Sequence, residues 1–192
     1  MLKLICYLLA VSVIVTCCTD APSATTSNGA DSVKKETAVD KEVYNEELEI
    51  KNMISEMTNI CGVAFTKDTS FIIGKDTFAV ALNHSCTGDS FLLPAKYIEI
   101  YKLPRFMAHN LKTDIVIEKN GVSILDKRIL KKDFESVADQ SLNQYAILMH
   151  PILKQTGDSI YLDYSLSIPL TDVGIGVRAT ILKDGAIHFS GN

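Results

Sequence analysis

The sequence predicts a mainly β domain, built as an antiparallel β-sandwich or a partly open barrel with an N-terminal helix and one short internal helix. From Cys61 onward, apolar residues recur at every second position, which is the period of a half-buried strand. Asn-Gly at 120–121 and Asp-Gly at 184–185 each separate two alternating segments, as in tight β-hairpins. No strand–helix–strand pattern is present, so we expect antiparallel pairing through short connections.

The chain begins with an apolar stretch that ends on two adjacent cysteines. Lys3 gives the start a positive charge, and the apolar run from Leu4 to Val15 is too short to span a bilayer. A basic start, a short apolar core and a terminal cysteine together resemble the leader of bacterial lipoproteins, which is cleaved before a cysteine that is then acylated. This resemblance implies a signal peptide over residues 1–17 and lipidation of Cys18, or of Cys17 if cleavage falls one residue earlier.

The resemblance also implies a location. Acyl chains such as palmitate would hold the protein on a membrane without a spanning helix. Thr19 follows Cys18, and in lipoproteins the lack of an aspartate at this place favours the outer membrane over the inner membrane. The layout of the whole chain is similar to that of small uncharacterised lipoproteins of Gram-negative anaerobes. That group supplies no catalytic residues to carry over.

Residues 18–40 are rich in Ser, Thr, Ala and Asp and contain almost no large apolar side chains. Such a segment cannot bury enough surface to offset its ordering entropy, so we expect a flexible tether. The single domain is then expected over residues 41–192. Its first part, residues 40–60, has apolar side chains at helical spacing and predicts the N-terminal helix, with a short strand over 47–51 as the alternative.

Period-two segments fill most of the remaining chain, and a short helix or helical turn is expected at 131–142. The segment 144–150 is expected to be a buried strand. The expected strand segments are 76–82, 96–102, 113–119, 122–127, 144–150, 158–168, 176–182 and 186–190. The residues expected on inward faces are Phe78, Val80 and Leu82, then Ile98 and Ile100, then Ile115, Ile117, Val122 and Ile124, and finally Ile160, Leu162, Tyr164, Leu166 and Ile168.

The charge balance argues against one class of partner. Lys and Arg number 19 against 23 Asp and Glu, for a net charge of −4. Proteins that bind nucleic acid normally carry a clustered basic face, so no nucleic-acid partner is expected. Two short basic pairs, at 127–128 and 131–132, are interpreted as solvated charges beside a hairpin.

No motif for catalysis or metal binding is present in the sequence. It contains no glycine-rich phosphate loop, no H-E-x-x-H and no G-x-S-x-G, so no catalytic residue and no cofactor are expected. His84 precedes Cys86 by two residues, which would place both on one face of a strand. No second ligand pair follows at a diagnostic spacing, so no metal site is predicted.

The domain expected over residues 41–192 contains two cysteines. Cys61 and Cys86 are a possible disulfide in an exported protein, and two buried thiols are the alternative. Three tyrosines, Tyr97, Tyr101 and Tyr161, are expected on solvent-facing sides of strands and could form a recognition surface.

These observations lead to two functional hypotheses. The first is a non-catalytic binding or scaffolding module, anchored by lipid in the cell envelope, that recognises an envelope protein or a glycan. The alternative is an envelope enzyme or inhibitor whose site is assembled from loops. A cleft that brings His84, His109 or His150 beside carboxylates would favour the enzyme, and an exposed aromatic strand face or open edge would favour the binding module.

Overall fold

The computed structural model describes residues 45–62 and 64–192, and it confirms the mainly β prediction with two antiparallel sheets. The expected leader and tether, with Cys17 and Cys18, lie outside the described residues. The elements are α1 (Glu46–Thr58), β1 (Phe65–Ile73), β2 (Asp76–Leu92), β3 (Met107–Lys119), β4 (Val122–Leu130), α2 (Gln140–Tyr145), β5 (Ile147–Leu148), β6 (Ile152–Thr156), β7 (Ser159–Ser167), β8 (Gly174–Ile181) and β9 (Ile187–Gly191).

The first sheet has the strand order β1-β2-β3-β4, with every neighbouring pair antiparallel. Its two long central strands, β2 and β3, pair in register except for a shift between Cys86 and Ser90. The β3–β4 hairpin turns at Asn120-Gly121, where φ is 51° and 82°. Both residues therefore adopt the left-handed conformation that a type I′ turn requires, as the Asn-Gly motif predicts.

The second sheet has the order β5-β7-β8-β9, and β6 also pairs with β7. The β8–β9 hairpin closes through hydrogen bonds between Leu182 and Ala186 and from Gly185 N–H to Leu182 O. Gly185 has a φ of 86°, so this loop has three residues and ends in a left-handed glycine. Asp-Gly at 184–185 therefore lies in the turn, as expected.

One hydrophobic core takes side chains from both sheets. The long strands β2, β3, β7 and β8 contribute alternate residues to it over most of their length, as a pleated sheet with one dry face requires. The predicted inward residues of β2 and β7 are buried, with exposures between 0% and 3%, and so is Ile168 just after β7 at 1%. Burying one such side chain contributes about 1.5–3 kcal/mol, so this alternation is the main reason the chain adopts this fold.

The N-terminal helix α1 begins at a side-chain cap. Asn45 Oδ1 accepts a hydrogen bond from Leu48 N–H at 3.2 Å, and three glutamates in the first turn suit the positive end of the helix dipole. The apolar stripe of Met53, Ile54 and Met57 is half-buried against the core. No residue of α1 is fully buried, so the helix covers the core without entering it.

The structure corrects several expectations. Residues 95–97 and 99–101 form two 3₁₀ turns where the alternating pattern predicted a strand, and Ile100 is 77% exposed. Pro94 and Pro104 flank this segment and limit it to a short connection. Val122 is 67% exposed because it directly follows the β3–β4 turn, beyond the edge of the core. The strand expected over 144–150 is reduced to Ile147–Leu148, since α2 extends to Tyr145.

Candidate functional site

Cys61 and Cys86 are joined by a disulfide in the structure, with Cα atoms 5.4 Å apart. Cys61 lies in the 3₁₀ turn that follows α1, and Cys86 lies where the pairing of β2 shifts. The bond therefore connects the end of the helix to the first sheet.

The histidines are only partly brought together. His84 is fully buried on the inner face of β2, and its Nδ1 shares a hydrogen bond of 2.9 Å with Thr113 Oγ1. The ring of His150 lies 5.1 Å away and is exposed, while His188 is exposed on β9 and His109 lies on β3. Burial, with a smaller effect of His150, lowers the pKa of His84 to about 4, so this imidazole is neutral at neutral pH.

The three tyrosines have separate roles. Tyr97 packs near Tyr145, with ring centroids 5.8 Å apart, and the Tyr101 hydroxyl donates to Leu170 O at 2.6 Å. Tyr161 lies on β7 with the guanidinium of Arg178 at 5.1 Å from its ring. Each of the three tyrosines therefore contacts another residue of the chain, and none of these contacts is between two of the three.

A pocket of about 380 Å³ lies on the outer face of the first sheet, and sequence reasoning did not predict it. We call it the basic pocket. Its polar lining side chains come from the irregular part of β2, from β3, and from the end of β4 and the turn after it. They are Thr87, Asp89, Asn110, Lys112, Arg128, Lys131 and Lys132.

The alternation of the strands explains why cations collect there. Leu111 and Ile129 point into the core with exposures of 3% and 0%, so Lys112 and Arg128 on the same strands point outward. Asp114, next to them, accepts a bond from each at 2.6 Å. One carboxylate thus holds two cations, and these bonds lower the pKa of Asp114. The Arg128 bond uses only Nε, so the terminal nitrogens of the guanidinium are free of ion pairs among the described residues.

Lys131 is held in a fixed position at the pocket wall. Its Nζ donates to Ala146 O at 3.1 Å and to Gln144 O at 3.3 Å, and it lies 4.8 Å from the centre of the Phe91 ring. An ammonium group has three N–H bonds, so one remains for a ligand. Burial lowers the pKa of Lys131, since removing the ammonium from water disfavours its charged form.

Asp89 is the only carboxylate among the lining residues. It lies in the irregular part of β2 after Gly88, whose φ is 93°. Thr87 Oγ1 donates to one of its oxygens, and Asn110 Nδ2 donates to the other at 2.8 Å. Both hydrogen bonds lower the pKa of Asp89, and the bond from Thr87 has the larger effect. The carboxylate is therefore ionised, and its orientation is fixed.

The basic pocket is therefore positive. Four cations line it against one carboxylate, and Asp114 beside it reduces the excess to two positive charges. Lys132 is exposed and has no ion pair among residues 45–62 and 64–192. This arrangement can bind an anion through ammonium and guanidinium donors, which form stronger hydrogen bonds than neutral groups do.

Within the described ranges, no helix is long and apolar enough to cross a bilayer. In the same part of the chain, no group of three or more His, Cys, Asp or Glu side chains is placed to hold a metal ion.

No family model matches the chain, and no curated protein matches it.

Proposed function

We propose that the protein is a lipid-anchored, non-catalytic binding module of the cell envelope, and that it binds an anionic ligand in the basic pocket. The observation that supports this most strongly is the set of four cations around a cavity of about 380 Å³, a size within the range of small-molecule sites. The anchor would be the acyl group on Cys18 or Cys17, with residues 18–40 as the tether.

The surroundings of His84 favour binding over catalysis at this histidine. His84 has 0% exposure, and its ring contacts Thr113 and His150 rather than a carboxylate. A general base must come within hydrogen-bond reach of its substrate, which full burial prevents. The basic pocket, in contrast, is open to solvent and holds fixed charges.

The anchor is tested by labelling cells with palmitate. We expect label on the wild-type protein and none when Cys17 and Cys18 are both replaced by Ala. The single variants identify the acylated residue, because only the loss of that residue removes the label. Label that survives in the double variant, or a wild-type protein that is never labelled, would exclude the anchor.

The pocket is tested by titrating the purified protein with sulfate and following backbone amide signals by NMR. We expect the largest shifts at Asp89, Lys112 and Lys131, and their loss in Arg128→Gln/Lys132→Gln. The matched control is Lys67→Gln, which removes an exposed cation from β1 at the opposite edge of the same sheet. Shifts spread evenly over all surface lysines, or unchanged in the double variant, would mean that the basic pocket is not the site.

A further inference from the structure

Asp89 is not explained by a site that binds simple anions. It places a negative charge on the wall of a pocket built from cations. Its carboxylate is exposed and forms no ion pair within 4.0 Å among the described residues, and it interacts with the charge of Lys131 only at longer range. A site for phosphate or sulfate alone would bind more tightly without it, because like charges repel.

Hydrogen bonds from neighbouring residues of the sheet fix the orientation of the Asp89 carboxylate. Thr87 and Asn110 each donate to a different carboxylate oxygen, and Asn110 comes from the neighbouring strand β3. Gly88, with a φ of 93°, lets β2 depart from regular pairing at this point. An ionised carboxylate has about four acceptor positions, and two remain for a ligand.

A ligand suited to this pocket must both supply negative charge and donate hydrogen bonds. Lys132, Arg128 and Lys131 would take the negative charge, while Asp89 would accept from hydroxyl groups. Hydrogen bonds from a hydroxyl to a carboxylate are charge-assisted and directional. A sugar ring that carries a carboxylate or sulfate has both features on one rigid frame.

From this geometry we infer that the basic pocket recognises an acidic saccharide, with Asp89 as the acceptor for ring hydroxyls. The inference rests on the proposed function, because it names the ligand class of the same anion site. It assigns to Asp89 a role in specificity and to the cations a role in affinity.

The test compares three probes by calorimetry on the purified protein: trigalacturonate, its methyl ester and citrate. The ester keeps the hydroxyls without the charges, and citrate has three carboxylates and a single hydroxyl without a sugar ring. We expect trigalacturonate to bind at least tenfold more tightly than either of the others. This comparison uses the wild-type protein alone, so it does not depend on the folding of any variant.

Asp89→Asn gives a second test, because it should change the affinities for trigalacturonate and citrate in opposite directions. Loss of the charged acceptor should weaken trigalacturonate about tenfold, which corresponds to one charge-assisted hydrogen bond. The same change should strengthen citrate a few-fold, because a repulsive charge is removed. Thermal unfolding of the variant serves as the control for folding.

The outcomes separate the two claims. If citrate and trigalacturonate bind equally and Asp89→Asn strengthens both, the saccharide inference is wrong while the anion site stands. If neither acidic probe binds, or the neutral ester binds as tightly as the acid, the anion site itself is wrong.

Discussion

His84 is a basic side chain placed in an apolar core. Its exposure is 0%, and its single hydrogen bond is to Thr113. Protonation would place a positive charge in that core, so burial lowers its pKa from 6.5 to about 4. The unfolded chain therefore binds a proton more readily than the folded chain between these two pH values. Because of His84, the free energy of unfolding falls as the pH drops from 6.5 to about 4. Below this window His84 causes no further loss of stability.

We predict that the free energy of unfolding is lower at pH 5 than at pH 7 by on the order of 2 kcal/mol, because His84 is buried in its neutral form. Urea unfolding at the two pH values measures this difference. His84→Gln should remove most of it, while His188→Gln, on the exposed surface of β9, should leave it unchanged. Carboxylates such as Asp163, whose pKa is lowered by Arg178 and Lys154, lose their contribution only at more acidic pH. Equal stability at pH 5 and pH 7 would contradict the account of His84.

Residue identity alone explains part of the candidate site. The basic pairs at 127–128 and 131–132 are visible in the sequence, but the sequence does not show which residues of β2 and β3 lie beside them in the fold. Asp89 and Asn110 reach the same pocket only because β2 loses register between Cys86 and Ser90. An irregularity of this kind depends on packing, and no period in the sequence predicts it.

At the scale of elements, the two hairpins at 120–121 and 184–185 and their strands could be predicted, whereas β1 and β6 were not predicted and the strands expected at 96–102 and over most of 144–150 do not form. Asn120-Gly121 requires a conformation that few other pairs adopt easily, so the local sequence determines the turn. The segment 95–101 has the alternation of a strand, yet only Ile98 is buried, at 2%, and Tyr101 is held by Leu170 from a distant loop. Tertiary contacts, which the sequence pattern does not contain, determine that connection.

The turn of the β8–β9 hairpin provides a test of how the elements fit together. A Cβ atom on Gly185 would lie 2.1 Å from Ile124 O in β4, whereas one on Gly157 would meet nothing within 4 Å. Both glycines have positive φ, 86° and 57°, so replacement by Ala introduces comparable backbone strain at each.

We predict that Gly185→Ala destabilises the protein by about 1–3 kcal/mol more than Gly157→Ala, because only the former forces two elements apart. Urea unfolding of the two variants measures the difference directly. Equal losses would mean that the turn of this hairpin does not contact β4 as described.

At the scale of the whole molecule, a net charge of −4 coexists with a local excess of positive charge at the basic pocket. The two sheets place their apolar faces in one core, which leaves the outer face of β3 and β4 free to carry Lys112, Arg128 and Asp114. The fold thus fixes these charges on a rigid surface, where they are partly screened by solvent. Binding through them must weaken as ionic strength rises.

The central claim is that the basic pocket binds anions, and the most direct measurement is the affinity for citrate at low and at physiological ionic strength. We compare the wild type, Arg128→Gln/Lys132→Gln and Lys67→Gln. The account predicts that wild type and Lys67→Gln bind alike and weaken with salt. The double variant should lose about five- to thirtyfold in affinity at low salt, since two charged contacts of about 0.5–1 kcal/mol each are removed. Equal affinity in all three proteins, or no binding by the wild type even at low salt, would contradict the claim.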